Sequence, residues 1–318
     1  MFQGRRVCVV IPAYNEQRLI GGVLDTMPDL VDRMIVVDDA STDTTAQALC
    51  AAQSRLGERL RVVRHERNGG VGAAIISGYK AALEELEAKD LVAVMAGDAQ
   101  MDPAELPRLL APLVKDQADS TKGNRLFTGE AWAIIPRHRY LGNAALSFAT
   151  KIASGYWHVA DSQSGYTAIT VEALSILKLD RLYPRYGFPN HLLVELNNYD
   201  FRVRDVPVRP VYNVGEVSGI RLPRVIPTIS WLLFTCYFWR MKEKYVIRDF
   251  HPLVFFYFLG FLMGLLGLAL GIAEIVLRAL GNQITAATVV LVALLLIFGS
   301  QFTLFAMWFD MESNKDLR

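Results

Sequence analysis

Val9-Val-Ile-Pro-Ala-Tyr-Asn-Glu16 is an apolar run that breaks into a polar turn ending in a carboxylate. The run starts at Val7, and Val7 to Ile11 offers no charged or strongly polar side chain to either face. A strand of that kind is buried on both sides, as in a parallel sheet covered by helices. Outward from it the pattern repeats. Glu16 to Met27 has helical spacing, Met34 to Val37 reads as a second strand and Thr44 to Leu56 as a helix. Leu60 to Arg64 and Val71 to Leu86 give a third strand and helix, Leu91 to Met95 and Pro103 to Val114 a fourth pair. The expected fold class is α/β, with a mostly parallel, Rossmann-like sheet.

Open sheets of this type bind ligands at the carboxyl ends of their strands. The residues there are Pro12-Ala-Tyr14-Asn-Glu16, Asp38-Asp39-Ala-Ser41, Asn68-Gly69-Gly70-Val-Gly72 and Gly97-Asp98-Ala-Gln100. Three of these four turns carry carboxylates. A carboxylate can accept hydrogen bonds from a nucleobase N–H or from ribose hydroxyls. Another, beside an amide oxygen, suits Mg²⁺ or Mn²⁺, which take hard oxygen ligands and neutralise a departing diphosphate. The pattern therefore points to a nucleotide-sugar site. A dinucleotide-binding dehydrogenase needs Gly-x-Gly-x-x-Gly after the first strand, and a Walker-type loop needs Gly-x-x-x-x-Gly-Lys-Ser/Thr; neither is present. Asp39, Ser41 and Asp43 are also each eligible to cap the helix that follows them. The Asn68–Gly72 loop lacks a basic residue and reads as a strand-to-helix turn. The five histidines show no metal-ligand spacing.

Val9–Glu16, Val36-Val-Asp-Asp-Ala-Ser-Thr-Asp43 and Gly97-Asp-Ala-Gln-Met-Asp-Pro103 resemble the signatures of family 2 glycosyltransferases with the GT-A fold. By pattern the chain is most similar to polyprenyl-phosphate glycosyltransferases, including dolichyl-phosphate mannosyltransferases. Asp161-Ser-Gln-Ser-Gly-Tyr166 resembles their Asp-x-x-Ser-Gly-Phe, and Lys122-Gly-Asn-Arg125 their Gly-Ser-Arg. The resemblance implies that Pro12, Tyr14 and Glu16 line the base and ribose, and that Val37 and Asp39 contact the base. It implies that Asp98 and Gln100 hold the divalent ion and donor diphosphate, and that Arg125 touches phosphate, with Lys122 or Arg221 beside it on the acceptor. Catalytic roles fall on Asp98, Arg125 and Asp161, the last as a base if the acceptor is a hydroxyl. The implied partners are a UDP- or GDP-linked sugar and an undecaprenyl or dolichyl phosphate. Three departures stand out. Ala96 occupies the usual first Asp of the metal motif, Thr167 stands where an Arg is common, and Gly215-Glu-Val-Ser-Gly-Ile-Arg221 lacks the family's Lys. A membrane transferase with a hydroxyl acceptor and a non-catalytic nucleotide-sugar binder are the alternative readings.

Composition fits a membrane enzyme. Of 318 residues, 52% are hydrophobic and 20% charged, and the net charge is +1. That excludes long disorder and argues against a nucleic-acid partner. Cys8, Cys50 and Cys236 form no disulfide or zinc framework. Leu253 to Ile272 runs 20 residues and Ile284 to Phe309 26 residues without a charge. About 20 such residues span a bilayer core. Two transmembrane helices are expected, near 252–273 and 284–309, joined by a turn over Glu274 to Gln283. Residues 1–220 form the expected catalytic domain, 221–250 interfacial amphipathic helices, 251–311 the hairpin and 312–318 a tail. Residues 1–6 carry no apolar leader, and nine Lys/Arg against three acids lie between Arg202 and Arg248. A multi-pass protein of the inner membrane is expected, with both termini cytoplasmic. Trp231, Phe234 and Trp239 with Arg240, Lys242 and Lys244 read as a headgroup-seeking face. Gly260, Gly264, Gly267 and Gly271 allow close helix packing, including in a homo-oligomer.

Overall fold

The computed structural model describes residues 1–127, 137–211 and 222–318. It divides into a unit of Met1–Tyr237 with Leu317–Arg318 and a second unit of Phe238–Asp316.

The first unit is built on a seven-stranded sheet. Its strands are β1 (Val7–Ala13), β2 (Arg33–Asp38), β3 (Leu60–Arg64), β4 (Leu91–Val94), β5 (Ser120–Asn124), β6 (Thr167–Thr170) and β7 (Val203–Pro207), in the order β3-β2-β1-β4-β6-β5-β7. β1 pairs in parallel with β2 and β4, and β2 with β3. β6 runs antiparallel to both its neighbours, and β5 and β7 are parallel. The helices are α1 (Ile20–Asp25), α2 (Thr45–Leu56), α3 (Val71–Leu83), α4 (Leu106–Val114), α5 (Arg137–Ser154), α6 (Val171–Ile176), α7 (Phe188–Asn198) and α8 (Leu222–Lys242).

The period-2 alternation of a strand explains the two cores. Val7, Val9 and Ile11 of β1 point to one face, where Ile20, Leu49 and the Leu106–Leu109–Leu110–Leu113 stripe of α4 cover them. Cys8 and Val10 point to the other, against Ala74, Ile75 and Tyr79 of α3. α3 lies so close that a Cβ on Gly78 would fall 2.2 Å from Val10 Cγ1. Alanine is ordinarily the better helix former. Gly78→Ala is nevertheless expected to destabilise the unit by about 1–3 kcal/mol through overpacking, measured as an earlier denaturant midpoint.

α1 is shorter than the helix expected over Glu16 to Met27. Residues 15–19 instead form turns tied to the loop after β2: the Asn15 N–H donates to Ser41 Oγ (3.0 Å) and the Gln17 N–H to Asp43 (3.3 Å). α8 buries Ile229 and Leu233 on Ala153 of α5. Trp231, Phe234 and Phe238 stay exposed on another side of α8, with Trp231 stacked on Phe234.

In the second unit, the end of α8 leads into a π-helical turn (Glu243–Arg248), then α9 (Leu253–Ala279, 27 residues) and α10 (Ala286–Ser313, 28 residues). Both are long and apolar enough to cross a membrane. The connection is tighter than expected. α9 continues through Glu274 and Arg278, because nothing breaks it before Gly281, whose φ of +85° turns the chain. The small residues serve the hairpin itself. Cβ atoms on Gly299 and Gly260 would lie 2.6 Å from Gly264 N and 2.5 Å from Thr303 Oγ1.

The cations of this region need correction. Arg240 and Lys244 are buried rather than offered to headgroups. Arg240 Nη1 and Nη2 donate to Asp310 Oδ1 (2.7 Å) and Oδ2 (3.0 Å), the Tyr245 hydroxyl donates to Asp310 Oδ1 (2.7 Å), and Lys244 Nζ donates to Asn314 Oδ1 (2.9 Å). A buried Asp310 needs such partners, and the helix end around Arg240 provides them. Lys242 remains exposed.

Candidate active site

Three turns at the carboxyl edge of the sheet are laced into one surface. The Asp39 N–H donates to Ala13 O and the Gly97 N–H to Pro12 O, joining the turns after β2 and β4 to the end of β1. Asn15 Oδ1 accepts the Thr42 N–H at 2.8 Å, and Gln17 Oε1 accepts the Thr44 N–H at 3.1 Å. Each turn holds one non-glycine residue in the left-handed region: Asn15 (φ +58°), Ala40 (φ +60°) and Ala99 (φ +58°). Alanine adopts that conformation only at a cost, and strain of this kind clusters at binding sites.

The turns present Tyr14, Glu16, Asp39 and Asp98. Tyr14 is exposed, and Pro12 is buried beneath it in β1. The Glu16 carboxyl is pushed up to about 7, first by burial and then by the charges of Asp98 and Asp43. The folded state thus favours the protonated acid. Stability is expected to fall as pH rises from about 4.5 to about 7, where the unfolded chain ionises first. Glu16→Gln removes that loss, so the variant's melting advantage over the parent should appear near neutral pH and shrink in acid.

Asp98 Oδ1 accepts the Gln100 N–H at 3.1 Å, closing the turn around Ala99. Asp102 caps the next turn by accepting the Ala104 N–H at 2.9 Å. At the departure site, the Ala96 N–H points to Met101 Sδ. Asp98, Gln100 and the nearby Glu16 present only oxygen donors and amides, which suits Mg²⁺ or Mn²⁺. Among the described residues no cluster of three or more His, Cys, Asp or Glu side chains is placed to hold an ion. The protein set fits an ion that takes most of its shell from a diphosphate and water.

Asp39 does not cap α2. The N-cap position is Thr44; Asp43 just before it accepts the Thr45 N–H at 2.9 Å, while the Ser41 N–H bonds Asp38. Asp39 is nearly enclosed and accepts the N–H groups of Gly69 and Gly70, both at 2.8 Å. The glycine loop is thus an anion cradle filled by an internal carboxylate. Val37 packs its whole side chain into the core on the α3 face, so only its main chain lies near the edge.

The loop of residues 161–166 approaches the Asp98 turn. The Tyr166 hydroxyl donates to Asp102 O at 3.0 Å, and Gly165 packs on Met101. Asp161 is fully buried and paired with Arg125, whose Nε donates to Oδ2 at 2.8 Å and Nη2 to Oδ1 at 3.2 Å. Burial raises the Asp161 carboxyl, but the Arg125 charge and hydrogen bonds, with Lys122, outweigh it and hold it below the usual carboxylate range. Lys122 lies inside β5 with its ammonium on Ser164 O, and burial lowers it to about 8. Burial pushes Asp205 of β7 up to about 6; it accepts the Asn124 amide and the Ala160 N–H. Thr167 is buried in β6 and bonds Tyr79. Arg221, with the Gly215–Arg221 stretch, lies outside the described residues.

Sequence reasoning gave no functional role to His65, weighed only as a metal ligand, to Tyr166, quoted only as the end of a motif, or to Asp205. His65 could have been found by the carboxyl-edge rule alone, since it directly follows β3.

A sheet of this winding, with acidic turns after β1, β2 and β4, defines a nucleotide-diphospho-sugar transferase fold of GT-A type. The family model described as glycosyl transferase family 2 matches residues 8–177, and the chain belongs to that family. It is 28% identical over 218 residues to the UDP-N-acetylglucosamine–dolichyl-phosphate N-acetylglucosaminyltransferase of Methanococcus voltae, covering 65% of this chain and 86% of that protein. It is 26% identical over 321 residues to the undecaprenyl-phosphate 4-deoxy-4-formamido-L-arabinose transferase of Klebsiella pneumoniae, covering 94% of this chain and 85% of that one. Glucosyl-3-phosphoglycerate synthase of Mycobacterium tuberculosis, crystallised with Mn²⁺, UDP and glucosyl-3-phosphoglycerate, superposes with a TM-score of 0.54 at 24% identity, over 74% of this chain and 80% of that one. That likeness bears on the fold alone.

Proposed function

We propose that this chain moves a hexosyl group from a UDP- or GDP-linked sugar to the phosphate of a polyprenyl lipid, undecaprenyl or dolichyl phosphate, at the cytoplasmic face of a membrane, with inversion. The observation that carries the reading is the lacing of the Glu16, Asp39 and Asp98 turns into one edge, which the 161–166 loop reaches through Tyr166 and Gly165. Two span-length apolar helices in the same chain support a lipid acceptor in a multi-pass protein, and the excess of Lys and Arg before the first of them supports a cytoplasmic catalytic side and cytoplasmic termini.

In this reading Pro12, Tyr14, Glu16 and the Val37 main chain line the base and ribose, and Asp39 reads the base. Asp98 and Gln100 would hold a Mg²⁺ or Mn²⁺ ion, whose chemistry is to offset the charge of the departing diphosphate. Arg125 presents a planar cation suited to a phosphate, with Arg221 as further positive charge, whereas Lys122 is enclosed on Ser164 O and does not reach the acceptor. The acceptor phosphate has a second pKa of about 6 and is largely dianionic at neutral pH, so its oxygen attacks the anomeric carbon in line without a protein base. Asp161 is correspondingly ill-suited to be one, being fully enclosed and neutralised by Arg125. That favours the phosphate acceptor over a hydroxyl.

The test is to supply labelled UDP- and GDP-sugars with undecaprenyl or dolichyl phosphate to the full chain in detergent. Label in an acid-labile lipid phosphate ester, with matching nucleotide release, is expected. Label appearing only on a hydroxyl-bearing lipid would overturn the acceptor assignment, and lipid-independent binding without transfer would make the chain a non-catalytic relative.

A further inference from the structure

His65 takes no part in the reaction described above, yet it is bonded at both ring nitrogens. Nδ1 lies 2.7 Å from Asp39 Oδ1 and Nε2 lies 2.8 Å from Ser77 Oγ of α3. An ionised carboxylate only accepts hydrogen bonds. Nδ1 therefore carries the proton given to Asp39, and Nε2 is held by a hydrogen bond shared with the Ser77 hydroxyl. The second donor on Oδ1 is the Gly69 N–H, whereas Oδ2 accepts the Gly70 N–H. One oxygen of Asp39 thus holds two donors and the other holds the Gly70 N–H, so Oδ2 has the lone-pair capacity to accept a further N–H.

We propose that His65 is a positioning residue for nucleobase recognition: with Gly69 it fills Asp39 Oδ1 and turns Oδ2 to accept a ring N–H flanked by a carbonyl. This deepens the proposed function and rests on the role given there to Asp39. Uracil and guanine present that edge. Cytosine and adenine present a ring nitrogen lone pair there, which a fixed carboxylate repels. The selection is therefore for uridine or guanosine diphosphate over cytidine or adenosine diphosphate. Its rigidity comes from the Ser77–His65–Asp39 chain, since a carboxylate free to rotate discriminates less.

The experiment measures binding of UDP, GDP and CDP to the full chain in detergent by calorimetry, alongside KM and kcat for transfer. His65→Ala is expected to weaken the preferred diphosphate by about tenfold to a hundredfold, the scale of one hydrogen bond to a charged group, to narrow its margin over CDP, and to leave kcat within about twofold. Asn carries its amide nitrogen near the place of Nδ1, and Gln near that of Nε2. His65→Asn should recover most of the affinity and His65→Gln should not. If His65→Ala does not fold, Ser77→Ala, which removes the bond that holds the ring at Nε2, should weaken binding several-fold. Asp39→Ala separates the two claims. Unchanged nucleotide binding in Asp39→Ala defeats the base-reading role itself. Weakened binding there, with His65→Ala or Ser77→Ala like the parent, defeats only the positioning role, as does a His65→Asn variant no better than Ala.

Discussion

Asp98→Ala is expected to lower glycosyl transfer by about 10²–10³-fold, the range for removing one preorganised electrostatic stabiliser of a developing charge. Asp98 is the carboxylate of the β4 turn whose charge reaches Glu16 across the carboxyl edge, whereas Asp102 caps the turn that leads into α4. The adjacent Ala96 cannot substitute for it. Two consequences of the substitution must be separated, because Asp98 also closes its own turn through the Gln100 N–H. Asp98→Asn keeps an oxygen for that bond and loses the charge. If the charge matters, Asn and Ala are similarly impaired in label transfer and nucleotide release, while both melt close to the parent. If Asn transfers sugar at the parental rate, the turn geometry and not the carboxylate is what the site needs. Removing Asp98 also removes one charge that pushes Glu16 up, so Glu16 should titrate at lower pH in either variant.

How much of this was legible in the sequence depends on where polar groups find partners. The first four strand–helix pairs declare themselves because their side chains sort into two apolar faces, and β1 to β4 lie where the apolar runs place them. β5 does not declare itself. Ser120-Thr-Lys-Gly-Asn124 reads as a polar loop, yet all five residues are buried. Ser120 Oγ donates to Ala168 O, Thr121 Oγ1 to Leu109 O and Asn124 Nδ2 to Asp205. Those partners lie 12 to 81 residues away, beyond the reach of any local pattern. The reversed direction of β6 is hidden for the same reason, being set by its pairing with β4 and β5 rather than by the four residues Thr167–Thr170.

The site shows the same division. Carboxylates at strand ends were legible, because the carboxyl edge of such a sheet is where ligands go. Which donors each carboxylate holds was not. Asp39 looked like a cap or a base contact, and its bonds to Gly69 and Gly70 depend on β2 and β3 being neighbours. Lys122 and Arg125 looked alike as phosphate cations. The fold separates them, enclosing the first against Ser164 and leaving the second about a quarter exposed beside Asp161.

The largest effect on stability is expected in the second unit. Asp310→Ala leaves the fully buried Arg240 guanidinium without its carboxylate, and takes an acceptor from Tyr245 and Asn314 as well. Breaking one side of a buried ion pair costs about 3–5 kcal/mol, whereas replacing both sides by apolar groups of similar volume is often neutral or favourable. The single variant should therefore melt well below the parent in detergent, and Arg240→Met combined with Asp310→Leu should recover much of the loss. The contrast between single and double variants is the decisive reading. Cations meant for lipid headgroups would behave differently: with no internal partner to orphan, Asp310→Ala would be mild, and Arg240→Met alone would weaken attachment to anionic vesicles without lowering the melting temperature. Because Arg240 and Asp310 are 70 residues apart, their pairing also fixes where the helix after Ala286 ends against the turn at Glu243–Arg248. The double variant thus tests whether that end is held by charge or by packing alone.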